Sequence, residues 1–362
     1  MNKPKIRFKG FEGEWKDSML SDFSYSICSG RDTAHKGIYP LYGSTGIIGT
    51  TNKPSYNGAM LLVARVGANA GKLQIINEEC GVSDNTLIIK PNGSISVSWL
   101  YYYLVHCNLN HLVYGSGQPL ITGYMLKRIP ILLGSKKECD EIASYFTSLD
   151  AQIAASTSRL SSLKQIKAAS LLNMFPQKGE TVPRVRFKEF QGEWKEIKLG
   201  EIFSVEIGEF VIKTKQKNNA LYPVYNGGVS NTGFYDCYNQ EGPKIIVSAR
   251  GANAGYVNYC TTDFWAGNSC YSIGAKNNDE LKFFFYFLKR FQEIYMKNQY
   301  SASIPSISKQ QILRTNLMYP SLPEQRAIAS YFTALDAQIT LHRERLEKLK
   351  QIKAACLEKM FA

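Results

Sequence analysis

Residues 142–175 read IASYFTSLDAQIAASTSRLSSLKQIKAASLLNMF, and residues 328–361 read IASYFTALDAQITLHRERLEKLKQIKAACLEKMF. Twenty-three of the 34 aligned positions are identical. Alternate steps of four and three from Ile142 meet Phe146, Leu149, Ile153, Ser156, Leu160, Leu163, Lys167, Ser170 and Met174. The same steps from Ile328 meet Phe332, Leu335, Ile339, His342, Leu346, Leu349, Lys353, Cys356 and Met360. Apolar side chains at this spacing make one stripe along a helix, the seam of a coiled coil, and the polar interruptions fall at matching steps. The pattern predicts two long helices. Ser135-x-x-Glu138 and Ser321-x-x-Glu324 have capping-box spacing and predict where they start, while Pro176 stops the first. The matched residues alone would extend about 51 Å.

Working outward, the rest of the chain repeats as well. Pro4 to Lys16 returns as Pro183 to Lys195, carrying Phe8 and Trp15 over to Phe187 and Trp194 at an offset of 179. Tyr39-Pro40-Leu41-Tyr42 returns as Tyr222-Pro223-Val224-Tyr225, and Gly67-Ala-Asn-Ala-Gly71 as Gly251-Ala-Asn-Ala-Gly255, at offsets of 183 and 184. The helical segments lie 186 apart. So small a drift means one architecture used twice. Between these anchors the halves have diverged, over roughly 14–134 and 195–320. A kept helix beside a changed block suggests one shared task and two different ones.

The diverged blocks are rich in Gly, Asn, Ser and Tyr. Their apolar runs, Met60–Ala64, Thr86–Ile89 and Lys244–Ser248, are set off by turn dipeptides such as Asn57-Gly58 and Asn92-Gly93. Such runs predict strands, in a mixed or antiparallel sheet whose order the pattern leaves open. Dense aromatic and Leu residues predict short helices at 97–109 and 279–298. The fold class is therefore α/β in the α+β sense. The chain divides at 1–134, 135–178, 179–320 and 321–362 into block, helix, block and helix.

Composition narrows the function. Hydrophobic residues make up 44% and charged residues 20% of the 362, an ordinary globular balance that excludes a disordered chain. Forty-three Lys and Arg against 30 Asp and Glu leave +13, favouring a polyanionic partner. The N-terminal stretch shows no signal-peptide pattern, and no apolar run reaches membrane-spanning length. The eight cysteines include no C-x-x-C pair and read as reduced thiols, so a cytoplasmic location is expected.

Signs of catalysis are missing. Gly67 to Leu73 is one residue short of a phosphate loop between its glycines and has Leu73 where Ser or Thr must bind Mg²⁺; the second copy has Tyr256 in place of Lys72. There is no G-x-G-x-x-G after a strand and no Asn/Asp-Pro-Pro-Tyr/Phe motif for amino methylation. The four histidines make no metal pattern. Neither a catalytic nor a metal site is expected.

The loops read better as a DNA-contact surface. Arg65 and Arg250 stand beside the Gly-Ala-Asn-Ala-Gly turns, with Asn69 and Asn253 inside them; Arg suits guanine and Asn suits adenine for bidentate reading. Arg31, Lys36, Lys213, Lys215 and Lys217 lie in polar loops where they could meet phosphates. Ser116, Gln118, Tyr300 and Ser303 lie in Gly/Ser-rich stretches before Pro119 and Pro305. Each alone reads more often as surface or turn chemistry than as a DNA contact. Two basic modules on a rigid spacer, however, suit a two-part DNA site.

The order of variable block, helix, variable block and helix resembles the specificity subunit of Type I restriction-modification systems. The resemblance is carried by Phe8 to Trp15 and Phe187 to Trp194, and by Pro323-Glu324-Gln325 opening the second helix. Leu-Asp-Ala-Gln-Ile (149–153, 335–339) and Leu-Lys-Gln-Ile-Lys (163–167, 349–353) complete it. Lys136 to Cys139 depart from the Leu-Pro-Glu-Gln pattern before the first helix. The resemblance implies two target recognition domains, each reading half of a bipartite, asymmetric sequence in double-stranded DNA. It implies that the helices dock two methyltransferase subunits, which bind S-adenosylmethionine and methylate adenine. Motor-nuclease restriction subunits using ATP and Mg²⁺ would join for cleavage, and this chain would hold no cofactor of its own.

Geometry adds that the helices pair antiparallel. The second block must join the end of the first helix to the start of the second. Those points are adjacent in an antiparallel pair and about 50 Å apart in a parallel one. Half-sites about one to one and a half DNA turns apart would follow. Two other readings compete: a scaffold that binds only proteins, and an enzyme with a hidden nuclease or methyltransferase centre. Salt-dependent DNA binding tests the first, and incubation with DNA, Mg²⁺ and S-adenosylmethionine tests the second.

Overall fold

The structure, a computed structural model, describes residues 3–112, 119–276, 280–297 and 305–361; side chains at 291 and 293–297 lie outside that description. The chain forms two compact units. Unit 1 is Met1–Ser158 with Arg343–Ala362, and unit 2 is Arg159–His342. Compactness therefore cuts across the linear division of the sequence, because each long helix gives one stretch to each unit.

In unit 1, an antiparallel sheet has the order β2 (Ser24–Ser29), β8 (Thr86–Pro91), β5 (Ala59–Ala64), β6 (Leu73–Asn77). A smaller mixed sheet orders β4 (Gly46–Thr51), β3 (Tyr39–Gly43) and β7 (Gly81–Val82), and β1 (Lys16–Met19) pairs with β9 (Pro130–Leu133). The run Met60–Ala64 is apolar throughout because β5 is covered on both faces. Leu61 and Val63 join Leu87 and Ile89 in the core around Trp99, while Met60, Leu62 and Ile88 pack with Tyr42. Helix α1 (Val97–Cys107) covers the first face; the Ser96 hydroxyl caps it by accepting from Trp99 N at 3.2 Å. A short α2 (Gly123–Lys127) precedes β9, and α3 (Lys136–Asn173) follows it.

Unit 2 repeats this plan. Its sheets order β11 (Phe203–Ile207), β17 (Cys270–Ala275), β14 (Lys244–Ser248), β15 (Val257–Cys260), and β13 (Gly233–Tyr235), β12 (Tyr222–Tyr225), β16 (Trp265–Ala266). β10 (Lys195–Lys198) pairs with β18 (Asn316–Tyr319), and α4 (Leu199–Ile202), α5 (Leu281–Lys297), α6 (Lys309–Leu313) and α7 (Leu322–Lys359) as far as His342 belong to it. The predicted strands and both predicted short helices are present.

Within each unit the two long helices run antiparallel. In unit 1, Asp150 of α3 accepts from Lys353 Nζ of α7, and Tyr145 Oη lies 3.5 Å from Cys356 Sγ; in unit 2, Asp336 accepts from Lys167 Nζ, and Ser170 Oγ lies 2.9 Å from Tyr331 Oη. Partners descend as residues ascend, which only antiparallel helices permit. The Asp of one Leu-Asp-Ala-Gln-Ile motif thus meets the Lys of the other helix's Leu-Lys-Gln-Ile-Lys motif. Each Asp also accepts from its block's own helix: Tyr102 Oη at 2.9 Å from α1, and Tyr286 Oη at 2.9 Å from α5.

The capping-box expectation needs correction. Glu138 N does donate to Ser135 Oγ at 3.2 Å, but the Glu138 carboxylate turns away from the cap. Arg7 Nε and Nη2 grip both its oxygens at 2.8 Å, and Trp15 Nε1 donates to it at 3.1 Å. Glu324 is held by the same pair of side chains, both its oxygens by Arg186 at 2.8 Å and one by Trp194 Nε1 at 3.3 Å. A buried carboxylate with a bidentate guanidinium offers a stronger interaction than a cap, so tertiary structure takes the side chain. The repeated Arg-Phe…Glu-Trp segment is therefore a clasp on each helix start.

The helix ends close the cores. Phe361 is 3% exposed and its ring lies within about 6 Å of Trp99, Tyr103, His106 and Phe146. Phe175 sits in the same way among Trp194, Phe283, Phe287 and Phe332. Removing such a ring leaves a cavity that costs about 3–5 kcal/mol. Phe361→Ala is expected to speed amide hydrogen exchange in α1 and residues 136–158 of α3 while sparing α5. Equal acceleration in α5 would contradict this assignment.

Candidate nucleic-acid interface

The Gly-Ala-Asn-Ala-Gly turns are hairpin ends. In unit 1 the turn joins β5 to β6, with Gly67 and Gly71 at φ 75° and 88°, a left-handed conformation that side chains resist. Gly71 N donates to Ala64 O at 2.8 Å and Lys72 N to Asn69 O at 2.9 Å. Unit 2 repeats the bonds, with Gly255 N to Ser248 O at 2.7 Å and Tyr256 N to Asn253 O at 2.9 Å. A strand-to-strand turn has no helix behind it, so it lacks the oriented amides that hold a phosphate.

Each turn carries a second strand of contact. Gly67 N donates to Pro119 O at 3.1 Å and Gly251 N to Pro305 O at 2.9 Å. Pro119 and Pro305 thus meet the hairpin ends. Ser116, Gln118, Tyr300 and Ser303, in the stretches before these prolines, lie outside the described residues.

Arg65 and Arg250 are not counterparts. Arg65 N donates to Asn85 O as Ala249 N does to Ser269 O, both at about 2.9 Å, and Arg250 bridges Ser306 as Val66 bridges Leu120. They stand one residue out of register, and successive strand residues face opposite sides. Arg250 is exposed; Arg65 is half-buried with its Nε enclosed and without a hydrogen-bond partner among the described residues. Asn69 and Asn253 are half-buried within their turns.

The basic loops lie around the smaller sheets. Arg31 and Lys36 are exposed between β2 and β3; Lys213 and Lys215 are exposed on a single helical turn before β12. Lys217 is exposed too, but Asp236 accepts from its Nζ at 2.5 Å, and that hydrogen bond raises the Lys217 pKa. Exposed Ile38 and Ile47 stand near Lys36 in sequence, and Phe210 and Leu221 flank Lys213–Lys217. Basic and apolar side chains together suit phosphates and thymine methyl groups.

The seam residues are used within the units. Ile142, Phe146, Leu149, Leu160, Leu163, Ile328, Phe332, Leu335, Ile339 and Leu346 are buried, and Ile153 and Leu349 are half-buried. As a partner-docking surface this stripe is therefore largely closed. Other helix faces remain, including exposed Ile166, Leu172 and Leu341.

Sequence reasoning missed the clasp and the partner that Tyr256 finds in unit 2. Tyr256 replaces Lys72, and its ring lies 3.9 Å beneath the Nζ of Lys289, whose pKa burial pushes down to about 8. Among the described residues no three His, Cys, Asp or Glu are placed to hold a metal, and no helix is long and apolar enough to cross a membrane.

Arg250→Ala is expected to relax selectivity in one half-site, by about 1–3 kcal/mol per lost bidentate contact, and to leave the other half intact. Because the side chain is exposed, the unfolding midpoint should hold. A lowered midpoint, or unchanged selectivity, would remove Arg250 from the interface.

Comparison with known proteins places this geometry. The model of the Type I restriction modification DNA specificity domain matches residues 12–165 and 191–351. A Mycoplasma genitalium protein assigned as a type I specificity subunit is 23% identical over 303 residues, 82% of this chain and 79% of its own. The Escherichia coli EcoprrI specificity subunit is 24% identical over 176 residues, 46% of this chain and 43% of its own. The crystal structure of a Type I restriction-modification S subunit from M. genitalium shares the fold, with a TM-score of 0.74 and 20% identity over 99% of both chains.

Proposed function

Because the chain belongs to the family of Type I restriction-modification DNA specificity domains, we propose that it reads a bipartite, asymmetric sequence in double-stranded DNA, one half per unit. It contributes no catalysis. Two methyltransferase subunits dock on the outer faces of α3 and α7, bind S-adenosylmethionine and methylate adenine; restriction subunits that use ATP and Mg²⁺ join for cleavage. The whole operates in the cytoplasm.

One observation carries this reading. The same architecture occurs twice, kept in its clasp, seam and aromatic plug, yet changed in the loops that bear Lys36 and Lys213–Lys217. Duplicate scaffolds with different basic loops suit two different stretches of one polyanion.

The test is DNA binding by the complex with methyltransferase as salt rises. Phosphate contacts release counterions, so the logarithm of affinity should fall linearly with the logarithm of salt, by about 0.9 per phosphate contact. Binding that ignores salt would favour a scaffold that meets proteins alone.

A further inference from the structure

One equivalent place differs in kind between the units. In unit 2, Ser248 Oγ donates to Gly228 O at 3.1 Å, Asn258 Nδ2 to the same oxygen at 3.4 Å, and Cys270 Sγ to Tyr225 O at 3.1 Å. The first two side chains tie the loop after β12 down onto the sheet, and Cys270 holds the end of β12 itself. At the offset of 184, their counterparts in unit 1 are Ala64, Gln74 and Thr86. Ala64 has no hydroxyl to give. Thr86 is 1% exposed, and its Oγ1 has no hydrogen-bond partner among the described residues.

A cleft of about 40 Å³ lies there, between the Ser44-Thr45 turn and the sheet, lined also by Ala64, Lys72, Gln74 and Thr86. It has room for one group the size of a water or a carbonyl oxygen. A buried hydroxyl and an exposed ammonium at its mouth can both donate, so an acceptor suits it. Lysine pairs with O6 and N7 of guanine in the major groove, and threonine can join such a contact.

Resting on the reading of the units as DNA readers, we propose that this cleft recognises a guanine. Its O6 enters and accepts from Thr86 Oγ1 and Lys72 Nζ. Unit 2 has closed the same cleft with its own hydrogen bonds and reads its half-site elsewhere.

The test uses the assembled complex with methyltransferase subunits. Sites are mapped for wild type, Thr86→Val and Lys72→Met, and each complex is then assayed on DNA carrying 2-aminopurine, which lacks O6, at the guanines of the half-site that Arg250→Ala leaves unchanged. The valine variant keeps the shape while removing an unpartnered hydroxyl; the methionine variant changes an exposed side chain, so neither depends on a fragile core. Both variants should relax one guanine position about 10-fold. At that position 2-aminopurine should weaken wild type about 10-fold and weaken Thr86→Val, which has only the Lys72 contact to lose, by less. Unchanged sites for both variants, relaxation confined to the other half, or a half-site without guanine would overturn the proposal while leaving DNA reading intact. A wild-type complex that methylates at no defined sequence would instead overturn the reading beneath it.

Discussion

A chain cut after residue 178 is expected to dimerise and to methylate an inverted repeat of one half-site. In unit 1 the last stretch of α7 supplies Lys353 to Asp150 and Cys356 to Tyr145, and Phe361 just beyond it enters the ring cluster of Trp99 and Phe146. At the offset of 186 the counterparts are Lys167 and Ser170 on α3 and Phe175 just beyond its end. A second copy of the fragment can therefore donate its residues 159–175 where residues 345–361 are missing, and receive the same in return. Such an exchange is isologous and closes as a two-fold dimer. Without it, a stripe of Leu and Ile and an aromatic core would lie open to water, at about 25 cal/mol per Å² exposed. With methyltransferase subunits bound, two identical units turn an asymmetric site into a palindromic one. Sedimentation and methylation mapping check this. A soluble fragment that stays monomeric at micromolar concentration, or a complex that still needs the asymmetric site, would show the halves are not interchangeable.

Adding one heptad to each long helix is expected to lengthen the unread gap of the site. Thr157 and Arg343 are equivalent, exposed and at the boundary between the units on α3 and α7. Insertions there leave the Asp150–Lys353 bond within unit 1 and the Asp336–Lys167 bond within unit 2. A whole heptad keeps the seam on one face, and seven residues add about 10 Å, or about three base pairs. The methylated sequence should keep both half-sites and gain about three unread positions. An unchanged gap in a complex that still methylates would remove the helices from the role of ruler.

Much of this was legible in the residues because it rests on short-range periodicity. The four-three steps from Ile142 and Ile328 locate helices whose stripes are in fact buried, and the unbroken run Met60–Ala64 marks a strand covered on both faces. What stayed hidden depends on distant partners. The spacing Ser135-x-x-Glu138 serves a cap or a clasp equally well, and the choice is made by Arg7, 131 residues away. Strand order was open because β8 inserts between β2 and β5, a pairing that no local pattern encodes. The stagger of Arg65 against Arg250 follows from ladder register rather than from nearness to a glycine turn. Thr86 reads as an ordinary strand residue until the Ser44-Thr45 turn is seen above it.

The most direct measurement is a genome-wide map of adenine methylation in cells that express the methyltransferase subunits with and without this chain. The account predicts methylation at one two-part, asymmetric sequence with a fixed unread gap, present only with the chain. Methylation at the same sequence without the chain, or at a single uninterrupted sequence with it, would contradict the claim that each unit reads one half.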